Sequence, residues 1–359
     1  MVKPTVASER FSRPHMIPAP SACIQPAPAA ALPVQDGGWQ HAWRDAVRDP
    51  RELLALLGLD ALGARVSAPA AGQFPLRVPR GFVSRMRHGD AADPLLRQVL
   101  PLDDEMRVVS GFGLDAVGDA AAITATGMLQ KYRGRALLVA TGSCAVHCRY
   151  CFRRHFPYAE ETAARAGWRE AVALIGEDPS IEEVILSGGD PLSLATPKLA
   201  ELTGALAGIA HLKRLRIHSR LPIVLPERVD PALLAWLSGL RWPTTVVVHA
   251  NHANEFDASV DSALARLRAT GVQLLNQAVL LRGVNDSVDA LVQLSERGFQ
   301  AGVMPYYLHQ LDRVAGVAHF EVSDDRARDL HARVQARLSG YLVPRLVREV
   351  AGEPGKRLL

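Results

Sequence analysis

Short apolar runs recur along most of this chain, at ALLVA (136–140), EVILS (183–187), LKRLRIHS (212–219), TTVVVHA (244–250), VQLLNQAVLL (272–281) and GVMPYYL (302–308). They favour β-branched and aliphatic side chains and mostly lack strict polar alternation, the pattern of strands covered on both faces. Between them lie stretches with apolar residues at helical spacing, at about 160–176, 196–210, 230–240, 257–270, 287–299 and 323–339. Six strand–helix units predict an α/β fold, a parallel sheet with right-handed crossovers. An open doubly wound sheet and a partial (β/α)6 barrel both satisfy that pattern.

Polar residues at the strand ends favour the barrel. Cys144 follows the first strand, Ser187-Gly188-Gly189-Asp190 the second, and His218-Ser219-Arg220 the third. His249 and Asn251 end the fourth, Asn276 and Gln277 lie in the fifth, and the sixth runs into His309 and Asp312. Chemistry gathered at strand C-termini is the habit of (β/α) barrels, although open α/β sheets share it.

Upstream the pattern changes. Trp39 to Leu57 has helical spacing, with Pro50 and Arg51 opening a second helix before Gly58. LRVPRGFVSRM and DPLLRQVLP suggest further short helices. From Pro14 to Pro33 there are six prolines among small apolar residues, which reads as a disordered or extended tail holding an incidental thiol, Cys23. The expected organisation is a Pro/Ala-rich tail (1–35), a small helical N-terminal subdomain (36–134), a (β/α)6 core (135–322) and a C-terminal helix and segment (323–359).

Composition adds mainly exclusions. With 359 residues, 48% hydrophobic and 22% charged, the chain is no collagen, mucin or wholly disordered protein. Lys and Arg number 41 against 37 acids, and the net +4 is spread out, in blocks no longer than pairs such as Arg153-Arg154. That is no nucleic-acid arm. MVKPTVASERFSRPH lacks an apolar core, and no apolar run approaches the ~20 residues of a membrane span. The expectation is a cytoplasmic protein.

Four cysteines are no disulfide framework. Three form Cys144-x3-Cys148-x2-Cys151, within TGSCAVHCRYCFRRHF. Three thiolates on one loop can bind three irons of a cubane and leave the fourth iron open to an external ligand. The same thiols could instead hold zinc with His147 or His155, or remain free.

This loop, directly after the first strand, resembles that of the radical S-adenosylmethionine (SAM) superfamily, whose domains are partial or full (β/α) barrels. Tyr150 matches the aromatic residue which that family places near the adenine. Ser187-Gly188-Gly189-Asp190 matches the motif receiving the methionyl amino group, its glycines permitting close backbone approach and Asp190 offering a carboxylate to an ammonium.

Within that superfamily the chain resembles the lysine 2,3-aminomutase group from about Phe74 to Lys356. The resemblance runs through KYRGRALLVATGSCAVHCRYCFRRHF, RIHSRLPIVLPERV, HANHANE, LLNQAVLLRGVND, MPYYLHQLD and GYLVPRLVREVAGEPGK. It implies a [4Fe–4S] cluster on the three cysteines, SAM, and pyridoxal 5′-phosphate (PLP) held by a catalytic lysine, Lys356 by position. Alone, Lys356 reads as a solvated lysine near the end; the resemblance reverses that. A lysine that attacks a carbonyl must be deprotonated, so it wants a desolvated or cation-rich site. Tyr132 matches a tyrosine stacked near the pyridine ring and Arg135 an arginine near the phosphate.

The resemblance also implies that Arg153 pairs with the substrate α-carboxylate, while Arg154 is structural or solvated. Asp312 and Glu349 match the acids that take the lysine ε-ammonium, although related enzymes carry Asp at the second position. Two acids there favour a cationic substrate over glutamate. His249 and Gln277 match residues lining the SAM side.

Longer aminomutases continue beyond the PLP lysine, whereas this sequence stops at Leu359. That ending, GEP-x-K and CFRRHFPY resemble the subgroup making (R)-β-lysine for translation elongation factor P. The implied partners are free L-lysine, an electron-donating flavodoxin or ferredoxin type protein, and a functional link to a β-lysyl ligase acting on elongation factor P, with no nucleic acid or membrane. Two alternatives stay open. One is another amino-acid 2,3-aminomutase serving catabolism or antibiotic supply; the other is a non-catalytic, zinc-stabilised (β/α) binding protein.

Overall fold

The computed structural model describes residues 38–162 and 168–359. The tail expected at 1–35, Cys23 and part of the helix expected from 160 lie outside the described residues.

Six strands follow the apolar runs closely. β3 (Arg135–Thr141), β4 (Glu183–Gly188), β5 (Arg214–Ser219), β6 (Thr244–Val248), β7 (Gln273–Val279) and β8 (Met304–His309) pair in parallel, each with the next. At one edge β1 (Ile123–Ala125) and β2 (Met128–Leu129) add antiparallel to β3. At the other, β9 (Arg345–Arg348) joins β8 in parallel, and β10 (Arg357–Leu358) returns antiparallel on β9. The sheet therefore has ten strands in sequence order. The four edge strands were not expected; at two to four residues they carry no readable periodicity.

Short helices precede the sheet: α1 (Gly38–Arg44), α2 (Pro50–Leu56), α3 (Ala68–Gln73), α4 (Arg80–Val83) and α5 (Pro94–Arg97). The crossovers then carry α6 (Arg169–Glu177), α7 (Thr196–Ala207), α8 (Leu221–Val224), α9 (Pro231–Ser238), α10 (Ala258–Ala269) and α11 (Val288–Gln300); α12 (Asp324–Gln335) follows β8. Their starts are set by side-chain caps. Asp230, Asp257, Ser287 and Ser323 each accept a backbone N–H from the first turn of α9, α10, α11 and α12. Among the described residues no helix is long and apolar enough to cross a membrane.

The sheet curls rather than lying open. Lys131, between β2 and β3, pairs with Glu349, just after β9, at 3.3 Å. An ion pair joining opposite edges of a ten-stranded sheet requires the strands to wrap around a common interior, the partial barrel. Strand alternation then decides which side chains face inward. Arg135 and Leu137, Ile185 and Ser187, Arg216 and His218, and Gln277 and Val279 are such pairs, all lining one cavity. Ala136, Leu138, Val184, Leu186 and Ile217 face the other way and are buried in the apolar layer.

The N-terminal helices share that layer. Leu53, Phe82, Leu95 and Leu96 belong to the same apolar cluster as Leu138, Ile217, Val246, Leu330 and Leu346, and Asp36–Leu359 forms one compact unit. A buried ion cluster ties this layer to the cysteine loop. Glu105 takes Arg149 through Nε at 2.8 Å and Nη2 at 2.5 Å, and Arg154 Nη2 at 2.8 Å. Arg149 also donates to the carbonyls of Phe74 and Ala70. Arg154 is thus structural, as one of its two expected roles had it.

Removing one member of such a cluster leaves uncompensated buried charge, which costs more than the pair contributes. Glu105→Gln should lower the free energy of urea unfolding by about 3 kcal/mol; a loss below about 1 kcal/mol would show that Arg149 and Arg154 find other partners.

Candidate functional site

The interior and C-terminal mouth of the barrel enclose a cavity of about 520 Å³. Every residue that the resemblance assigns to the cluster, the cofactors or the substrate lines it, from the three cysteines to Tyr132, Arg135, Asp312, Glu349 and Lys356.

At one end Cys144, Cys148 and Cys151 share the loop after β3. Burial, then Cys148, pushes the Cys151 thiol up to about 11, and burial, then Asp190 and the other two thiols, pushes Cys144 well above its ordinary value. Thiols crowded in this way favour binding by a cation that stabilises their thiolates. Among the described residues no three His, Cys, Asp or Glu side chains converge as a single-ion site; a cubane, which takes one thiolate at each of three corners, suits the donor set. His147 stacks on Phe74 and bonds the Pro75 carbonyl at 2.7 Å, and His155 bonds the Ala315 carbonyl at 3.1 Å.

The turn after β4 is pressed against this loop. Gly189 N–H donates to the Thr141 carbonyl at 2.7 Å and Asp190 N–H to that of Ser143 at 2.8 Å. A Cβ on Gly188, whose φ is +114°, would sit 2.7 Å from the Thr141 oxygen, and one on Gly189 would sit 2.5 Å from that of Ser143. The first close approach these glycines permit is therefore to the cysteine loop itself.

Asp190 also departs from expectation. One oxygen accepts from Ser219 Oγ (2.8 Å) and Leu192 N–H (3.1 Å), the other from Arg220 N–H (2.7 Å) and Leu221 N–H (3.1 Å). Burial pushes its carboxyl up to about 6 against these four donors. The carboxylate expected to meet a ligand's ammonium is spent on joining the β4 turn to the end of β5.

Between the ends lie His218 and His249, with Nδ1 and Nε2 3.3 Å apart. Burial, then the charge of Arg220, pulls His249 down to about 4, so the pair is neutral near pH 7. Gln277 and Tyr150 line the same wall, with the Tyr150 hydroxyl 2.5 Å from Arg220 Nη1.

The other end is charged. Arg153 donates to Asp119 at 2.6 Å and to Ser187 Oγ at 3.2 Å. Lys131 contacts Asp119 at 2.6 Å, the Val117 carbonyl at 2.8 Å and Glu349 at 3.3 Å. Glu349 in turn pairs closely with Lys356. Burial raises the Glu349 carboxyl, but Lys356 and then Lys131 outweigh it and hold it at about 2. Arg153 and Glu349 thus each already have a partner in the protein.

Asp312 is different. Its carboxylate makes no hydrogen bond or ion pair among the described residues, and burial, then the charge of Glu349, pushes it to about 7. Arg135 is its cationic counterpart. Its guanidinium lies 4.7 Å over the Tyr132 ring, makes no ion pair among the described residues, and has a buried Nε without a partner. One unsatisfied acid and one unsatisfied guanidinium facing a cavity form a seat for a ligand cation and a ligand anion.

The sequence reading passed over several participants. Asp119 sits in a stretch without periodicity, and Lys131 looks like one more surface lysine. His218, His309 and Arg220 had only their strand-end position as a signal. His309 is 5% exposed, and its Nε2 has no partner among the described residues.

Fold and cavity together are those of a partial (β/α)-barrel protein whose cavity opens at the C-terminal ends of its strands. No protein-family model matches the chain. It is 49% identical over 319 residues to the L-lysine 2,3-aminomutase of Escherichia coli (strain K12), covering 89% of this chain and 93% of that one. Against the Haemophilus influenzae L-lysine 2,3-aminomutase it is 44% identical over 324 residues, covering 90% and 96%. With the Clostridium subterminale L-lysine 2,3-aminomutase identity is 30% over 328 residues, 90% of this chain and 78% of that one. The chain belongs to the L-lysine 2,3-aminomutase family.

The Glu349 pairing predicts an acid dependence. A carboxyl held at about 2 when folded, against roughly 4.3 unfolded, contributes stability that is full above pH ~5 and lost as pH falls toward 2. Between pH 5 and 3 the protein should lose roughly 1–2 kcal/mol more unfolding free energy than Glu349→Gln. Parallel urea curves at both pH values would show that the pairing contributes nothing.

Proposed function

We propose that this chain is a radical SAM, PLP-dependent L-lysine 2,3-aminomutase, an isomerase converting free L-α-lysine to β-lysine. The observation that carries the reading is one cavity with three thiols at one end and Arg135, Lys356 and the unpaired Asp312 at the other. When bound, the cluster and SAM supply hydrogen abstraction, and PLP stabilises the unpaired electron while nitrogen moves between adjacent carbons.

The chain's own residues bind and orient. Cys144, Cys148 and Cys151 hold the cluster, while Tyr150, Ser187, Gly188, Gly189, His249 and Gln277 shape the SAM seat. Asp190 supports that seat through the turn it fixes. Tyr132 gives PLP an aromatic plate, Arg135 takes its phosphate, and Lys356 is the attachment point. Attack on a carbonyl requires the free amine, and Glu349 is the carboxylate that pairs with Lys356 before the cofactor is attached.

Arg153 keeps Asp119 on Nε and turns Nη1 toward Ser187, leaving guanidinium edge for a substrate carboxylate. Asp312 accepts the ε-ammonium, with Glu349 behind it. A glutamate side chain would set a third carboxylate beside these two, which disfavours it.

The reading extends to (R)-β-lysine as product, made for elongation factor P by way of a β-lysyl ligase. It includes a flavodoxin or ferredoxin type electron donor and a cytoplasmic location. Support comes from the GEP-x-K motif and the CFRRHFPY stretch.

Anaerobic incubation with SAM, PLP and a low-potential reductant should convert L-lysine and leave L-glutamate unchanged; chiral chromatography of the product then tests the R assignment. Lys356→Ala should lose PLP on desalting and form no β-lysine; PLP retained at wild-type stoichiometry would move the attachment elsewhere. Asp312→Asn should raise KM for lysine at least tenfold with a smaller effect on kcat, and an unchanged KM would remove its role in binding.

A further inference from the structure

Arg220, directly after β5, is 6% exposed and has two working edges. Nη2 donates to Glu255 Oε2 at 3.0 Å and Gln98 Oε1 at 2.8 Å. Nη1 donates to Cys148 Sγ at 2.7 Å and to the Tyr150 hydroxyl at 2.5 Å. Glu255 is fully buried, and its Oε1 accepts from Asn251 N–H (2.8 Å), His252 N–H (3.2 Å) and Gln98 Nε2 (3.1 Å). The carboxylate is thus immobilised, and it fixes the guanidinium so that its far edge meets one sulfur. Among the described residues Cys148 alone of the three thiols receives a side-chain donor bearing charge.

A cation held at hydrogen-bond distance from a thiolate lowers the energy of added negative charge on it. Hydrogen bonds to cluster sulfurs and local charge are what set iron–sulfur potentials. Resting on the reading that the three thiols hold an iron–sulfur cluster, we propose that Arg220 sets the cluster's reduction potential through its charge-assisted hydrogen bond to Cys148. The step concerned is one electron passing from an external low-potential carrier to the cluster, with no protein bond formed or broken. Glu255 holds Arg220 in place and also offsets its charge, so the two residues act on the potential with opposite sign.

That opposition separates the proposal from a purely structural role, in which either substitution loosens the same buried network. Anaerobic EPR potentiometry without SAM, on the cluster-loaded full chain, gives the test. Arg220→Gln should lower the reduced-to-oxidised ratio at fixed potential about tenfold, ~59 mV for one electron. Glu255→Gln, which leaves the guanidinium without its counter-charge, should raise the ratio about threefold. If one variant fails to load a cluster, the sign of the other decides. If both fail, Arg220→Lys decides, since it keeps the charge but loses the fork and should lower the ratio by less than tenfold. A loaded variant with an unchanged potential, or both shifts in one direction, overturns the proposal. A wild-type protein that binds no iron and sulfide instead removes the cluster reading beneath it.

Discussion

The structure depends on keeping a cavity full of charged side chains electrically compensated away from water. The solution is alternation: Arg153, Asp119, Lys131, Glu349 and Lys356 follow one another with each carboxylate between two cations. Burial opposes ionisation of Asp119, but Arg153 and then Lys131 outweigh it and hold it below the usual carboxylate range. An isolated charge in such a place would neutralise or destabilise the fold; a charge flanked by two opposites does neither. The series runs from the segment after β3 through Asp119 before β1 and Lys131 between β2 and β3 to Lys356 beside β10, so the compensation that makes the cavity tolerable also draws the sheet edges together.

The opposite end of the cavity is organised by backbone rather than charge. The β4 turn lies so close to the cysteine loop that no Cβ fits at Gly188 or Gly189. Asp190 then ties that turn to the start of α8, and Arg220 passes the connection to Cys148. Behind the loop, the Glu105 cluster anchors Arg149 and Arg154 to the N-terminal helices. Three elements distant in sequence thereby hold three thiols in place, so the spacing of the cysteines is only part of what defines their site.

How far the sequence was legible follows from these two devices. The six core strands could be read because doubly covered strands leave apolar runs, and the strand-end residues could be read because barrel topology collects them. The inward pairs such as Arg216 and His218 follow from the two-residue period once the strands are known. Nothing local marks β9 or β10, whose pairing exists only because Leu346 and Val347 meet β8. Asp119 and Lys131 were invisible for the same reason: their meaning is each other. Asp190 was legible as a strand-end carboxylate but its four donors were not, since a carboxylate open to a ligand and one that accepts four donors look alike in sequence.

Compensation also bears on which ligand the cavity suits. Within the alternating chain three cations face two carboxylates, and Asp312 lies outside it without a partner. Counting Asp312 and the unpaired Arg135, the lining has one carboxylate and one guanidinium still to be matched. On the proposed function, PLP's phosphate answers Arg135, and attachment at Lys356 loosens that residue's hold on Glu349. Glu349 then keeps Lys131 but has less cation than before, and its charge acts on an Asp312 that had no partner. The end of the cavity is left short of positive charge, and a second ammonium on the substrate supplies it. The preference for a diamino acid over a neutral or acidic one therefore depends on the whole alternating chain, not on either carboxylate alone.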